Sequence, residues 1–230
     1  LVLDVEAGVA NDHASFALGT FFDLPDGPEG EMDIEGIAIA DGYVWVAGSH
    51  SLKRDKPKRR GLERMQGLDW DPNRGFLGRV PLADRGDGLF EPVAEVAADG
   101  DRPARTARMV PMTASPKTPI RKMLAKDPLI GPFVRLPCKE NGLDVEGLAV
   151  RGDTVLLGLR GPVVGGYAIL VRLEMKETAD GWLKPRRLAN GKRYAIHAVD
   201  LDGQGIRDLE WHGDRLFVLT GATTDLEALQ

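Results

Sequence analysis

Two copies of one acidic phrase hold the residues best suited to chemistry. Asp33-Ile34-Glu35-Gly36-Ile37-Ala38 returns as Asp144-Val145-Glu146-Gly147-Leu148-Ala149. Side chains alternate along a strand, so Asp33 and Glu35 share one face, as do Asp144 and Glu146. If the two copies met, four like charges would repel. Repulsion of that kind raises carboxyl pKa values or calls for a cation. All-oxygen ligands suit calcium or magnesium rather than zinc. Asp33, Glu35, Asp144 and Glu146 are therefore the candidate metal ligands, with Ca or Mg as the expected cofactor. The competing reading is structural: each acid accepts hydrogen bonds from backbone donors at a strand end or sheet interface. The ligand spacing is not that of a standard calcium loop.

Basic residues follow each phrase. Ser49-His50-Ser51-Leu52-Lys53-Arg54 and Leu159-Arg160-Gly161-Pro162 occupy matching places after the two copies. A mouth lined by such side chains suits a phosphorylated or carboxylated ligand. Lys53, Arg54 and Arg160 are the candidate anion-binding residues here. His50 is the candidate catalytic residue, because the hairpin register places it opposite Asp33 and a His–Asp pair can move a proton. The same pair also serves as a plain structural hydrogen bond. No nucleophile elbow, P-loop or dinucleotide fingerprint is present. Cys138, the single cysteine, reads as a small buried hydrophobe.

The elements that must position these groups are hairpins. Asp41-Gly42 is a strong two-residue turn signal between Ile34–Ala40 and Tyr43–Ala47. With the turn centred there, Asp33 faces His50 and Glu35 faces Gly48. Gly152-Asp153 plays the same part in the second copy, so Asp144 faces Gly161 and Glu146 faces Leu159. Gly213-Asp214 turns a third hairpin. Matched by turn position, Gly205 stands where Asp33 does and Arg207 stands where Glu35 does. Arg207 then joins the carboxylates, balancing their charge or holding an anion.

Longer units emerge around the first two hairpins. Gly75–Leu82 and Phe90–Val96 extend the first to four strands; Tyr167–Leu173 and Trp182–Leu188 extend the second. The third stops two strands short. Tandem four-stranded meanders read as propeller blades, since one such sheet cannot bury both faces alone. The expected fold is all-β and β-propeller-like, a single domain over 1–230 that is incomplete or has disguised blades. A β-sandwich is the competing architecture. Insertions interrupt the pattern at about 51–74 and 97–132. In the second, Thr118-Pro119 starts a short helix through Lys126, and Pro128 ends it.

Bulk properties narrow the partners. Net charge is −5, so the surface as a whole repels nucleic acid and acidic membranes. The basic run Lys53–Arg60 lacks the interleaved aromatics of a nucleic-acid binder and reads as a solvated loop. No stretch is long enough to cross a membrane. With one cysteine, no intrachain disulfide is available, which slightly favours the cytoplasm. Leu1–Val5 reads like the inside of a strand, so secretion after removal of a leader stays open.

Five phrases carry a family resemblance: Asp33-Ile34-Glu35-Gly36; Gly48–Arg54; Lys139–Ala149; Gly158-Leu159-Arg160-Gly161-Pro162; and Gly205-Ile206-Arg207-Asp208-Leu209-Glu210-Trp211. In wording and order they resemble a bacterial family known as a domain of unknown function, number 3616. The Asp-x-Glu-Gly-Leu-Ala wording is also similar, more weakly, to esterase-like and phytase-like propellers. That second resemblance implies calcium-assisted phosphoester chemistry by analogy alone. The functional expectation is a non-catalytic scaffold that binds a small molecule or a protein partner at a mouth of mixed charge. The alternative is a divalent-metal-assisted hydrolase acting on a phosphoester.

Overall fold

A computed structural model describes residues 3–4, 9–10, 14–55, 62–86 and 88–223. The expected solvated loop is described only as far as Asp55; the rest of the basic run lies outside the described residues. Strand is the predominant regular structure among the described residues. Apart from a short pairing of Leu3–Asp4 with Val9–Ala10, the strands build two five-stranded antiparallel sheets and one isolated hairpin, joined by shorter ribbons.

The first sheet holds β1 (Ile34–Ala40), β2 (Tyr43–Gly48), β3 (Leu77–Asp84), β4 (Phe90–Pro92) and β5 (Arg108–Met109). They run β1-β2-β3, and the outer edge of β3 is shared: β4 pairs with Leu82–Asp84, β5 with Gly78 and Arg79. The second sheet holds β6 (Asp144–Arg151), β7 (Thr154–Val164), β8 (Tyr167–Glu177), β9 (Leu183–Pro185) and β10 (Ala195–Asp200). Here too two strands divide one edge, β9 on Met175–Glu177 and β10 on Tyr167–Arg172. The four-strand units expected from the sequence are thus five-stranded. The reason is that each fourth strand is too short to cover its neighbour, and a later segment supplies the remaining edge hydrogen bonds. The hairpin of β11 (Gly205–His212) and β12 (Arg215–Gly221) forms the third unit.

The units stack through their faces. Trp45 and Ala47 of β2 point into a core with Leu148, Leu157, Ile169 and Leu173 of the second sheet. The intervening residues Val44 and Val46 point the other way, against Leu24, Phe76 and Met109. The second sheet is buried on both sides: Ala149, Leu156, Ala168 and Leu170 pack against Ile206 and Leu209 of the third unit. Burial on both faces explains why its strands read as nearly unbroken apolar runs. The helix α1 (Pro119–Leu124) plugs one margin of the main core with Ile120 and Leu124. Thr118 caps it, its Oγ1 accepting from the Arg121 amide at 3.3 Å, and it ends two residues before the expected Lys126.

One packing relation repeats. A Cβ on Gly36 would sit 2.6 Å from Cβ of Leu148, and a Cβ on Gly147 would sit 2.8 Å from Cγ of Leu209. Each glycine lies five residues before the first residue of its turn; each leucine lies four before the next unit's turn. The same knob therefore enters the same hole at both interfaces. Ile37 holds the leucine's position in the first unit, and it stands exposed, as do Ile34 and Ile39. Each sheet is open among the described residues.

Candidate functional site

Three strand bulges build the site. In the first hairpin Ile34 pairs with Gly48 and Gly36 with Ala47, leaving Glu35 as the extra residue. In the second, Val145 pairs with Leu159 and Gly147 with Gly158, leaving Glu146 extra. In the third, Ile206 pairs with Thr220 and Asp208 with Leu219, leaving Arg207 extra. This corrects the expected register at those points: Glu35 does not face Gly48, and Glu146 does not face Leu159. Asp144 does face Gly161. A bulge re-aims the side chain it carries. All three fall six residues before the first residue of the turn, so matching by turn position places Arg207 with Glu35 and Glu146.

Two of the three bulged side chains meet, and the third, Glu35, feels the charges of both. Arg207 Nε lies 2.8 Å from Oε2 of Glu146, and Arg160 Nη1 lies 3.1 Å from the other Glu146 oxygen. Arg160 also reaches Asp144, with Nη2 2.5 Å from Oδ2. Asp144 and Glu146 are buried, so pairing with Arg160 is needed to hold their charge away from water. The neighbouring strand ends are tied by backbone: the Ser49 amide donates to the Asp33 carbonyl at 3.1 Å, and the Val145 amide donates to the Ser49 carbonyl at 2.8 Å. Asp33, in the left-handed region at φ 53°, is the next acid along the rim. Its carboxylate pairs with Arg74 Nη1 at 2.8 Å.

Burial dominates the electrostatics. It pushes the Asp144 carboxyl up to about 7, against the opposing pull of Arg160, with Glu146, Glu35 and Asp33 adding repulsion. Glu146 is also raised by burial, although Arg160 and Arg207 counter it. Glu35 is exposed as a residue, yet crowding around its carboxyl group, together with the charges of Asp33 and Glu146, raises its pKa as well. Among the described residues, Glu35 has no hydrogen bond or ion pair. It is the one acid of the four with an unclaimed carboxylate.

The remaining sequence candidates lie elsewhere. His50 is fully buried and does not pair with Asp33. Burial and the nearby Arg121 push its imidazole down to about 3, with only the Phe76 backbone opposing. Neither ring nitrogen has a well-formed partner. The expected His–Asp proton relay is therefore corrected: Arg74 has taken the Asp33 carboxylate, and His50 is a neutral core group. Lys53 is occupied by Glu31 at 2.9 Å and Asp71 at 2.5 Å. Arg54 is bound to Glu140 and to the Met65 carbonyl. Neither opens toward the cluster as a free anion ligand.

Two arginines escaped the sequence reading. Buried Arg74 ties Glu31, Asp33 and Asp71 together and donates to Ser51 Oγ at 2.9 Å. Arg121 donates to the carbonyls of His50, Pro116 and, at 2.6 Å, Val134. Both come from irregular or insertion segments, where no periodicity marks a residue as buried. Among the described residues, no group of three or more His, Cys, Asp or Glu side chains is arranged to hold a metal ion. Arg160 pairs with Asp144 and Glu146, Arg207 with Glu146, and Arg74 with Asp33, so three of the four candidate ligands have arginine partners.

A family model described as "Protein of unknown function (DUF3616)" matches residues 1–229. The chain belongs to the DUF3616 family. The five phrases quoted from the sequence therefore sit within a matched span that covers nearly the whole chain. No curated protein matches the chain, and no solved structure does. The esterase-like and phytase-like likeness thus stays a likeness of wording. No helix among the described residues is long and apolar enough to cross a membrane.

Proposed function

We propose that this DUF3616 chain is a non-catalytic binding scaffold whose ligand enters where the three bulges meet. In this reading the three units are successive blades of a propeller-like stack, an arrangement supported by the repeated fit of Gly36 on Leu148 and Gly147 on Leu209. The observation that carries the functional reading is the exposed, unclaimed Glu35 carboxylate, which feels the charge of the partly exposed Arg207 guanidinium that Glu146 holds in place. One offers an anion, the other a cation, on a floor of buried, mutually paired charges. A fitting ligand is a small polar molecule, or a partner's side chains, bearing an ammonium or guanidinium for Glu35 and a carboxylate or phosphate for Arg207.

Calorimetry tests this with a panel of amino acids and phosphorylated amines. Binding that Glu35→Gln weakens, with no turnover of any ligand, supports the scaffold. Binding unaffected by both Glu35→Gln and Arg207→Met overturns it.

A divalent-metal-assisted phosphoesterase remains the second reading, and one observation favours it. Asp144, with its carboxyl pushed up to about 7, is poised to exchange a proton near neutral pH. A phosphoester panel run with calcium or magnesium separates the two: turnover lost in Asp144→Asn would favour the enzyme.

A further inference from the structure

A second site, sharing no residue with the bulge cluster, lies at the margin between the first two units. It is a cleft of about 720 Å³ between α1, β9 and the segment that leads into β10. Its volume is in the range that takes a small organic molecule. Met123 from α1, Val110 after β5, and Trp182 and Leu183 at β9 give it apolar walls. Trp182 is 37% exposed, so a large aromatic face is left open there.

The rim has one predominant sign. Lys122, Lys126, Lys184 and Lys192 all line the cleft, and the single acid among them is Asp180. Asp180 is already engaged, held low by the Thr178 side chain and influenced by Lys184. Lys192 has a partner as well: Asp127, at 3.2 Å, which also accepts from the Tyr194 hydroxyl at 2.6 Å. Buried Asp127 and Tyr194 thus anchor the far wall, with exposed Lys192 at its edge. Lys122 and Lys126 are exposed and have no ion-pair partner among the described residues.

We propose that this cleft binds a small amphipathic organic anion, its apolar or aromatic body against Met123, Trp182 and Leu183 and its carboxylate or sulfonate between Lys122 and Lys126. Apolar area supplies the affinity, and the uncompensated lysines select the charge. The chain's net charge of −5 makes this local cationic rim a departure from the surface as a whole.

The probe is 8-anilinonaphthalene-1-sulfonate, an aromatic body with a sulfonate head, followed by fluorescence. Decanoate and decyltrimethylammonium serve as competitors of equal chain length and opposite charge. Saturable binding is expected, displaced by decanoate and not by the cationic amphiphile. The double variant Lys122→Ala/Lys126→Ala should weaken it by about tenfold, an effect that high salt erases. Met123→Glu should abolish it; because Met123 also packs against the main core, Trp182→Ala, which removes an exposed ring, should weaken binding with a thermal midpoint close to that of the parent. Absence of saturable binding, equal displacement by both competitors, or binding indifferent to the lysine and Met123 variants would overturn the proposal.

Discussion

Glu146 and Arg207 occupy the same bulge position in consecutive hairpins, and their side chains meet at 2.8 Å. Neither a regular strand nor a longer hairpin would bring them together. The extra residue in each strand turns its side chain out of the pleat and toward the neighbouring unit. A local irregularity, repeated, has become a shared site.

The stack itself is open to test through its glycines. Alanine at Gly36 or Gly147 would push a methyl into Leu148 or Leu209. Each should cost about 1–3 kcal/mol in chemical denaturation, the usual range for overpacking. Pairing Gly147→Ala with Leu209→Ala should recover part of the loss, because the knob shrinks as the hole fills. Strict additivity in that double-mutant cycle would show that the two residues do not touch.

Much of this architecture was legible in the sequence. Asp41-Gly42, Gly152-Asp153 and Gly213-Asp214 set three hairpins, and turn position aligned Arg207 with the two glutamates. The bulges were not legible, because an extra residue leaves the hydrophobic alternation on either side intact. The assignment of His50 to Asp33 failed for that reason and one more: Arg74, arriving from an aperiodic insertion, claims the carboxylate. The division of the outer edges between β4 and β5, and between β9 and β10, depends on long-range pairing that local patterns do not encode.

Stability should carry two opposing pH slopes. The His50 imidazole is pushed down to about 3 in the folded chain, so the unfolded chain binds that proton more tightly. Its contribution is complete above the ordinary imidazole pKa of about 6.5 and is lost as pH falls toward 3. Asp144 behaves in the opposite sense. With its carboxyl pushed up to about 7, it contributes fully below the ordinary value of 3.8 and loses that contribution as pH rises to about 7. Between pH 4 and 6.5, on the order of these two limits, the effects offset one another in the parent chain. His50→Asn, which tolerates the left-handed backbone at φ 53°, should leave stability falling with pH across that window. Asp144→Asn should leave it rising. Thermal midpoints at a series of pH values read both, and parallel profiles for the two variants would contradict the assignment.

Arg160 should be the most sensitive residue of the cluster. Alanine there leaves Asp144 and Glu146 buried without their common partner. Removing one member of a buried ion group costs about 3–5 kcal/mol. Adding Asp144→Asn should return part of this by removing one stranded charge. Denaturant titration of the single and double variants checks it; a loss below about 1 kcal/mol for Arg160→Ala would mean that water already reaches the acids.

The most direct measurement of the shared site is a double-mutant cycle on Glu146→Gln and Arg207→Met, read as stability in denaturant. Contact between the two bulges predicts a coupling of about 1 kcal/mol or more. Losses that simply add would place the second and third hairpins apart and dissolve the site.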